Sequence, residues 1–368
     1  MKIRSFEAKN FRNIKNCKIE FSDGINLLIG KNAQGKTNVA EGIYLFSRGK
    51  SFRGSSEAEL RYFGEEGFYT AVEYESKTGE ERLEYSVFGK ERLRKKNGYR
   101  INKVTEMIEG FKCVLFVPDD LSLVKGGPEG RRAFLNVAAS LAEKNYIEFY
   151  RGYKIASENR NCILKNAKAG LYFDMSELNA WSGSVAKYAA EVCLVRREYI
   201  NKIEKHAKKI LSEISDMKEE LSLKYSSDID ESITELSEIE EEYKRILSSD
   251  INREIAVGYS LFGPSRDDIE IKINGKEARA FASQGQQRSV VLAIKLAEGE
   301  VIREIFGEYP VFIFDDVMSE LDEERRRYIV ENAGEKQIII TSCEKESYVG
   351  IADNIIEVEG GFYVSSHR

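Results

Sequence analysis

The chain has few of the features that mark secreted, zinc-binding or membrane-spanning proteins. Its 368 residues include 5 cysteines and 2 histidines. The cysteines are odd in number, scattered and never spaced as Cys-x-x-Cys, which is typical of ordinary thiols in a reducing compartment and argues against a zinc site. The apolar runs have the length of strands, well below the ~20 residues of a membrane span. Since the N-terminal residues also lack the apolar segment of a signal peptide, we expect a cytoplasmic protein without a membrane partner.

Net charge is small as well, at −6, while hydrophobic residues make up 42% of the chain. That apolar content is sufficient for a folded core and argues against wholesale disorder. The slightly acidic balance excludes a uniformly basic surface. It leaves room for a local basic patch, which is the part of a surface that a nucleic acid contacts. The length suggests one large domain or two ordinary ones.

Prolines number only 4, and a long proline-free segment divides the sequence. Between about residues 129 and 253, apolar residues recur at helical spacing, and from Leu178 to Tyr199 they form a heptad seam. We predict a helix over residues 176 to about 220, roughly 65 Å long at 1.5 Å per residue. A second helical stretch over residues 229–246 returns beside it. An ordinary helical bundle without a protruding rod is the alternative.

Both flanks of this insert are rich in predicted strands. Alternating or continuous apolar runs predict strands at residues 3–8, 17–21, 24–29, 68–74, 83–88, 111–117, 269–273, 276–281, 311–314 and 337–341. Asn274-Gly275, between two of them, is a strong hairpin signal. Because the same architecture occurs on both sides of the insert, we predict one α/β head, residues 1–120 and 251–368. A helical arm, residues 121–250, interrupts it.

The most specific motif is Gly30-Lys31-Asn32-Ala33-Gln34-Gly35-Lys36-Thr37, which matches G-x-x-x-x-G-K-[ST]. In this pattern backbone N–H groups curl around the phosphates, the lysine neutralises the β and γ oxygens, and the threonine hydroxyl ligates magnesium. A buried strand precedes the motif and a helix beginning near Asn38 follows it. We therefore expect residues 30–38 to bind ATP, with Lys36 catalytic and Thr37 a ligand of Mg²⁺.

Two carboxylates follow a second predicted buried strand. Asp315 closes the apolar run at 311–314, and a magnesium site needs a carboxylate at the end of a neighbouring strand. Asp316 then orients or deprotonates the attacking water. We predict that Asp315 binds Mg²⁺ and that both acids are catalytic. The alternative is that they cap the next helix.

A third motif, Ser283-Gln284-Gly285-Gln286-Gln287-Arg288, precedes an apolar helical stretch. A serine and a glycine at a helix start make an anion site from a hydroxyl, backbone N–H groups and the helix dipole. One chain has no need for two γ-phosphate cradles, so this motif indicates a second nucleotide-binding face. A plain N-cap is the alternative interpretation.

In combination, these motifs resemble the Walker A, signature and Walker B elements of the ABC-type ATPases that include SMC and Rad50. Ser319-Glu320-Leu321-Asp322 looks like their D-loop. More narrowly, the chain resembles the RecF family, whose short insert contrasts with the long coiled coils of SMC and Rad50. The supporting stretches run from end to end of the chain, at residues 10–13, 50–53, 116–121, 263–268 and 283–298.

The resemblance implies an ABC-type head with mixed β-sheets and an inserted helical arm. It implies an ATP-dependent homodimer in which Ser283, Gly285 and Gln286 of one subunit bind the nucleotide on the P-loop of the other. Arg12 and Asn13 are also expected to bind nucleotide. The family binds DNA, notably at gaps and junctions, and with RecR and RecO helps to load RecA at stalled replication forks in recombinational repair.

Several positions depart from the patterns of these relatives. Ser265 stands where the family often has histidine, and Ser342-Cys343 replace the switch histidine of transporter-type ATPases. No clear Q-loop glutamine precedes the insert, which leaves Asp119 or Asp120 as substitutes. Asp316 stands where many relatives have glutamate, which predicts slow turnover because its carboxylate reaches about one methylene less far.

Basic residues concentrate at 90–103, where positive charge suits sequence-independent contacts with phosphates. The predicted DNA-binding residues are Arg92, Arg94, Lys95, Lys96 and Arg100. Arg131, Arg132, Arg151 and Arg160 are candidates to extend this patch along the insert. An exposed hairpin with solubilising charges is the alternative.

Two other functions compete with an ATP-gated DNA clamp. A stand-alone P-loop NTPase or kinase would use the insert to bind a small substrate. An SMC-like tether is disfavoured by the short insert.

Overall fold

Three β-sheets and eleven α-helices organise the described part of the chain, residues 1–344 and 350–367 of a computed structural model. The strands are β1 (Lys2–Phe11), β2 (Ile14–Glu20), β3 (Ile25–Ile29), β4 (Gly67–Ser76), β5 (Gly79–Phe88), β6 (Glu91–Lys96), β7 (Tyr99–Ile101), β8 (Cys113–Phe116), β9 (Leu221–Ser226), β10 (Asp268–Ile273), β11 (Lys276–Glu277), β12 (Val311–Asp315), β13 (Ile338–Ser342), β14 (Asn354–Glu359) and β15 (Phe362–His367).

The helices vary in length from single turns to a long rod. They are α1 (Lys36–Arg48), α2 (Val104–Gly110), α3 (Ser122–Lys125), α4 (Pro128–Ala142), α5 (Tyr146–Lys168), α6 (Met175–Ile214), α7 (Leu236–Ser249), α8 (Ile251–Val257), α9 (Ala278–Phe281), α10 (Gln284–Phe306) and α11 (Glu323–Glu331). Two 3₁₀ turns lie at Pro118–Leu121 and Met318–Glu320. None of these helices combines the length and the apolar character that a membrane span needs.

The chain divides into two units, Met1–Asp120 with Val291–Arg368, and Leu121–Val290. The first unit holds an antiparallel sheet in the order β2-β1-β4-β5-β6-β7 and a mixed sheet in the order β15-β14-β3-β13-β12-β8. Apolar residues of α1 join one core with residues of both sheets. The contact with β1 is close, because a Cβ on Gly42 would lie 2.4 Å from Cζ of Phe6.

Parallel pairing in the mixed sheet brings the ends of three strands together. β13 pairs in parallel with β3 on one side and with β12 on the other. All residues of β3 and β12 are buried, as expected for strands covered on both faces. The register places Asp315 opposite Thr341 and Ser342 opposite Ile29. The P-loop and the two acids therefore emerge at one edge of the sheet, where ligands of open α/β sheets bind.

The second unit contains the long helix and a small sheet in the order β11-β10-β9. α6 has 40 residues, about 60 Å at 1.5 Å per residue. It ends at Ile214 and not near residue 220, because the chain then alternates buried and exposed residues as β9. The returning helix α7 packs against α6 but begins only at Leu236. The prediction of an all-helical segment at 129–253 is therefore wrong at β9.

The second boundary between the units differs from the predicted one. The first unit gives way to the second after Asp120, whereas the second unit extends to Val290 and not to residue 250. The physical reason is that β10 pairs with β9, from Asp268 opposite Ser226 to Ile273 opposite Leu221. The predicted hairpin at Asn274-Gly275 forms, but its second strand ends at Glu277 and residues 278–281 become α9.

Candidate nucleotide-binding site

The P-loop leaves β3 and turns tightly before α1 begins at Lys36. Gly35 adopts a left-handed φ of 116°, and a Cβ there would lie 2.6 Å from the Tyr363 hydroxyl, so only glycine fits. Lys36 is buried, and its Nζ donates to the carbonyl oxygens of Gly30 and Lys31, the latter at 2.9 Å. The lysine is thus held inside the loop at the place where phosphates bind in P-loop proteins.

A cavity of about 390 Å³ opens over the P-loop. It is lined by Asn13, Asn32, Ala33, Gln34, Gly35, Lys36, Thr37, Asn38, Arg53 and Asp316. All of these residues belong to the first unit. The structure therefore brings most of the predicted nucleotide residues together around one cavity.

Asp315 and Asp316 occupy different environments at the end of β12. Asp315 is 4% exposed, and burial raises the pKa of its carboxyl, while hydrogen bonds from Thr341 and Thr37 act in the opposite direction. Asp316 is exposed, lines the cavity and has a left-handed φ of 54°. One acid is thus fixed beside the P-loop threonine, and the other faces the space above it.

Thr37 and Asp315 fit the chemistry of a magnesium site. The Thr37 hydroxyl donates to the Asp315 carboxylate. A hydroxyl and a carboxylate are the hard oxygen donors that Mg²⁺ prefers, and Mg²⁺ takes its other ligands from water and substrate phosphates. The two predicted metal ligands therefore lie within reach of a single ion.

Asn13 and Arg12 support the loop and α1 from outside. Asn13 Nδ2 donates to the carbonyl of Ala33 at 2.9 Å, and Asn38 Nδ2 donates to Asn13 Oδ1 at 2.6 Å. The Arg12 guanidinium forms a two-pronged ion pair with Glu41 of α1, at 2.8 and 2.7 Å. Asn13 is one of the residues that line the cavity and Arg12 is not, so of these two predicted nucleotide residues the structure brings only Asn13 to the cavity.

Two elements of the site were not predicted from the sequence. Arg53 lines the cavity, and its Nη1 donates to Asn38 Oδ1 at 3.1 Å. Its only sequence signal was its place in the 50–53 stretch. The hairpin β14–β15 packs on the P-loop: the Gly360 amide donates to Gln34 Oε1, and a Cβ on Gly30 would lie 2.2 Å from the carbonyl oxygen of Val358. No pattern in the sequence indicated this hairpin.

Cys343 directly follows β13, where the resemblance to transporter-type ATPases leads us to expect a switch histidine. Its Sγ lies 3.4 Å from Lys36 Nζ and 2.9 Å from Asn32 Oδ1. The end of β13 thus contacts the P-loop through a thiol and not through an imidazole.

Ser283 belongs to the second unit and directly precedes α10. The Gln286 amide donates to Ser283 Oγ at 3.2 Å, and the Ser283 amide donates to Gln286 Oε1 at 2.8 Å. This reciprocal pair is a capping box, so the N-cap interpretation describes the local structure. Ser283 is exposed, which leaves its outer side open to another molecule.

The predicted DNA-binding residues do not share one face. β5 pairs with β6 so that Val87, Tyr85 and Leu83, all buried, lie opposite Arg92, Arg94 and Lys96. The intervening Lys95 points to the other face, here called the outer face, and lies opposite Arg100 of β7. The expected continuous patch is thus divided by the period-two alternation of the strand.

Arg92, Arg94 and Lys96 lie on the inner face of the sheet, the face that carries the buried side chains of β5, and each contacts another side chain there. Arg92 pairs with Glu57 at 2.8 Å, Lys96 pairs with Glu81 at 2.8 Å, and Arg94 lies 4.9 Å from the centre of the Tyr85 ring. The prediction that the insert extends the basic patch is wrong at two positions. Arg160 is fully buried in an ion pair with Glu254, and Arg131 is buried and pairs with Asp268.

Known proteins similar to this chain include ATPases, in agreement with the P-loop and its cavity. Residues 1–316 match the family model described as the AAA ATPase domain. The DNA replication and repair protein RecF of Clostridioides difficile (strain 630) is 37% identical over 375 residues, which cover 99% of this chain and 98% of that protein. RecF of Thermoanaerobacter sp. (strain X514) is 36% identical over 355 residues, with 95% and 96% covered.

The chain belongs to the RecF family. A solved structure described as the recombination mediator protein RecF with ATP in the RecFOR pathway superimposes with a TM-score of 0.90 at 34% identity, covering 99% of this chain and 97% of that chain. The SMC head domain of Pyrococcus furiosus, at 19% identity, gives a TM-score of 0.57 and shows the shared fold alone. The resemblance to RecF and the ABC-type α/β head are thus confirmed, and the chain is an ATPase of DNA replication and repair.

Proposed function

We propose that this RecF-family ATPase is a cytoplasmic, ATP-gated DNA clamp of recombinational repair. ATP joins two heads around DNA, and slow hydrolysis releases them. The observation that supports this proposal most strongly is the location of Ser283. It is an exposed helix N-cap in the second unit, whereas the residues that line the P-loop cavity belong to the first unit. We infer that Ser283, Gly285 and Gln286 bind the γ-phosphate on a second copy of the chain.

Four side chains in and beside the cavity, those of Lys36, Thr37, Asp315 and Asp316, have distinct proposed parts in hydrolysis. Lys36 and the P-loop amides would hold the phosphates, while Thr37 and Asp315 would hold Mg²⁺, which would supply positive charge to the phosphates when bound. Asp316 orients the water for attack. Because Asp316 is exposed and its side chain is short, we expect turnover to be slow until DNA or a partner completes the site.

DNA and protein partners follow from the family. The solved RecF relatives are described as recombination mediators of the RecFOR pathway. By that relationship we propose that the chain acts with RecO and RecR to assist loading of RecA at gapped or junction DNA. For direct DNA contact, Lys95 and Arg100 are the strongest of the five predicted residues, because both lie on the outer face of the sheet.

The proposal is tested by the ATPase rate per protein molecule, measured over a range of protein concentrations with and without double-stranded DNA. A site shared between two heads predicts that specific activity climbs with concentration and that DNA raises it. Lys36→Ala is the control for contaminating ATPases. A flat profile that ignores DNA would favour the rival function, a stand-alone NTPase or kinase acting on a small substrate.

A further inference from the structure

Thr341, at the end of β13, contacts both acids of the site through a single hydroxyl. Its Oγ1 donates to Asp315 Oδ1 at 2.7 Å and accepts from the Asp316 amide at 3.0 Å. Thr341 is 1% exposed, so neither hydrogen bond competes with solvent. A hydroxyl can act as donor and acceptor at once, and no apolar side chain of the same shape can.

The two hydrogen bonds constrain different properties of the site. The bond to Asp315 Oδ1 fixes the rotation of a carboxylate that also accepts from the Thr37 hydroxyl. The bond from the Asp316 amide holds the backbone at a residue with a left-handed φ of 54°, a conformation that L-residues seldom adopt. The Thr341 side chain thus constrains both acids: Asp315 beside the P-loop and Asp316 facing the cavity.

We propose that Thr341 is a positioning residue for ATP hydrolysis, which orients Asp315 toward the metal and Asp316 toward the attacking water. Thr341 itself touches neither ATP nor metal in this account. Its effect resembles that of the outer partners of metal ligands, whose removal typically lowers metal affinity or activity by about 10–100-fold. The proposal rests on the magnesium site of the proposed function.

Thr341→Val removes the hydroxyl while retaining a branched side chain suited to a strand. We expect manganese binding, followed by electron paramagnetic resonance in the presence of a non-hydrolysable ATP analogue, to weaken by about 10–100-fold. Binding of the same analogue in EDTA should stay unchanged. The maximal ATPase rate should fall with little change in KM, and Thr341→Ser, which keeps the hydroxyl, should restore both readouts.

A matched control separates this role from loss of a buried threonine in general. Thr70 of β4 is fully buried in the same unit, and its hydroxyl donates to the Tyr85 carbonyl at 3.4 Å. Thr70→Val should leave manganese binding unchanged. If Thr341→Val fails to fold, Thr341→Cys, with a weak thiol donor, takes its place.

The outcomes distinguish failure of the positioning role of Thr341 from failure of the proposed magnesium site. Wild-type manganese affinity in Thr341→Val, or a Thr341→Ser variant as impaired as Thr341→Val, would overturn the positioning role. If the wild-type protein with nucleotide binds manganese no better than the nucleotide alone, the magnesium site fails, and the role of Thr341 fails with it.

Discussion

Asp316 shows how one side chain combines predictable chemistry with unpredictable geometry. Its position after a buried strand and beside Asp315 predicts a catalytic acid, and this role stays a prediction. Its left-handed backbone and its amide bond to Thr341 were not predictable, because they depend on the register of β12 and β13, which lie far apart in the sequence. The same holds for Arg12, whose partner Glu41 is fixed only once β1 and α1 pack.

Asp316→Glu should raise the maximal rate of ATP hydrolysis, because the longer side chain carries the carboxylate about one methylene closer to the water. The same substitution should also lower the stability of the fold, because the backbone at residue 316 has a left-handed φ of 54°. Longer side chains tolerate that region less well than aspartate, so we expect a loss of stability of about 1 kcal/mol. Steady-state ATPase and thermal unfolding measure the two effects.

The matched variant Asp316→Asn has the same shape without the charge. It should bind ATP normally and lose about 10²-fold or more in hydrolysis rate, as for removal of a general base. An unchanged or lower rate in Asp316→Glu would count against a reach-limited carboxylate.

At the scale of elements, the apolar pattern of the sequence located most strands, whereas strand pairing determined which sheet each strand joins. The strands around the P-loop were predictable because β3, apart from Asn26, and β12, apart from Asp315, consist of apolar residues. β9 was missed, since six alternating residues between helices carry little weight in a helical background. β10 was assigned to the head because sequence proximity to the signature does not reveal that it pairs with β9.

Strand alternation also decides which of the predicted DNA-binding residues share a face of the sheet. Reversing Lys95 and Arg100 to glutamate should weaken binding of double-stranded DNA and reduce the slope of log K against log salt by about 2, if each contacts one phosphate. Both lie on the outer face, opposite each other on β6 and β7. Fluorescence anisotropy at several salt concentrations measures the slope.

The control makes the same charge change at the opposite edge of the same sheet. Lys15→Glu with Lys18→Glu, on β2, should lower affinity only modestly and leave the slope close to that of the wild type. Equal effects of the two double variants would show that overall charge, and not the outer face of β6 and β7, governs DNA binding.

At the scale of the whole molecule, the predicted site residues are divided between two units. The P-loop, Asp315 and Asp316 belong to the first unit, and Ser283 belongs to the second. Each motif was visible in the sequence, and the resemblance to RecF implied that the motifs act together in binding ATP between two subunits. Neither could give the boundary at Val290, because the chain folds back to pair β10 with β9 before α10 begins.

A mixing experiment tests the central claim, that ATP is hydrolysed between two copies of the chain. Lys36→Ala lacks a working P-loop and Ser283→Arg lacks a working signature, so each alone should be inactive. In an equal mixture of a symmetric dimer, half the dimers pair the two variants and carry one intact site, which predicts recovery to about a quarter of the wild-type rate. A mixture as inactive as its components, or full activity in Ser283→Arg alone, would contradict the shared site.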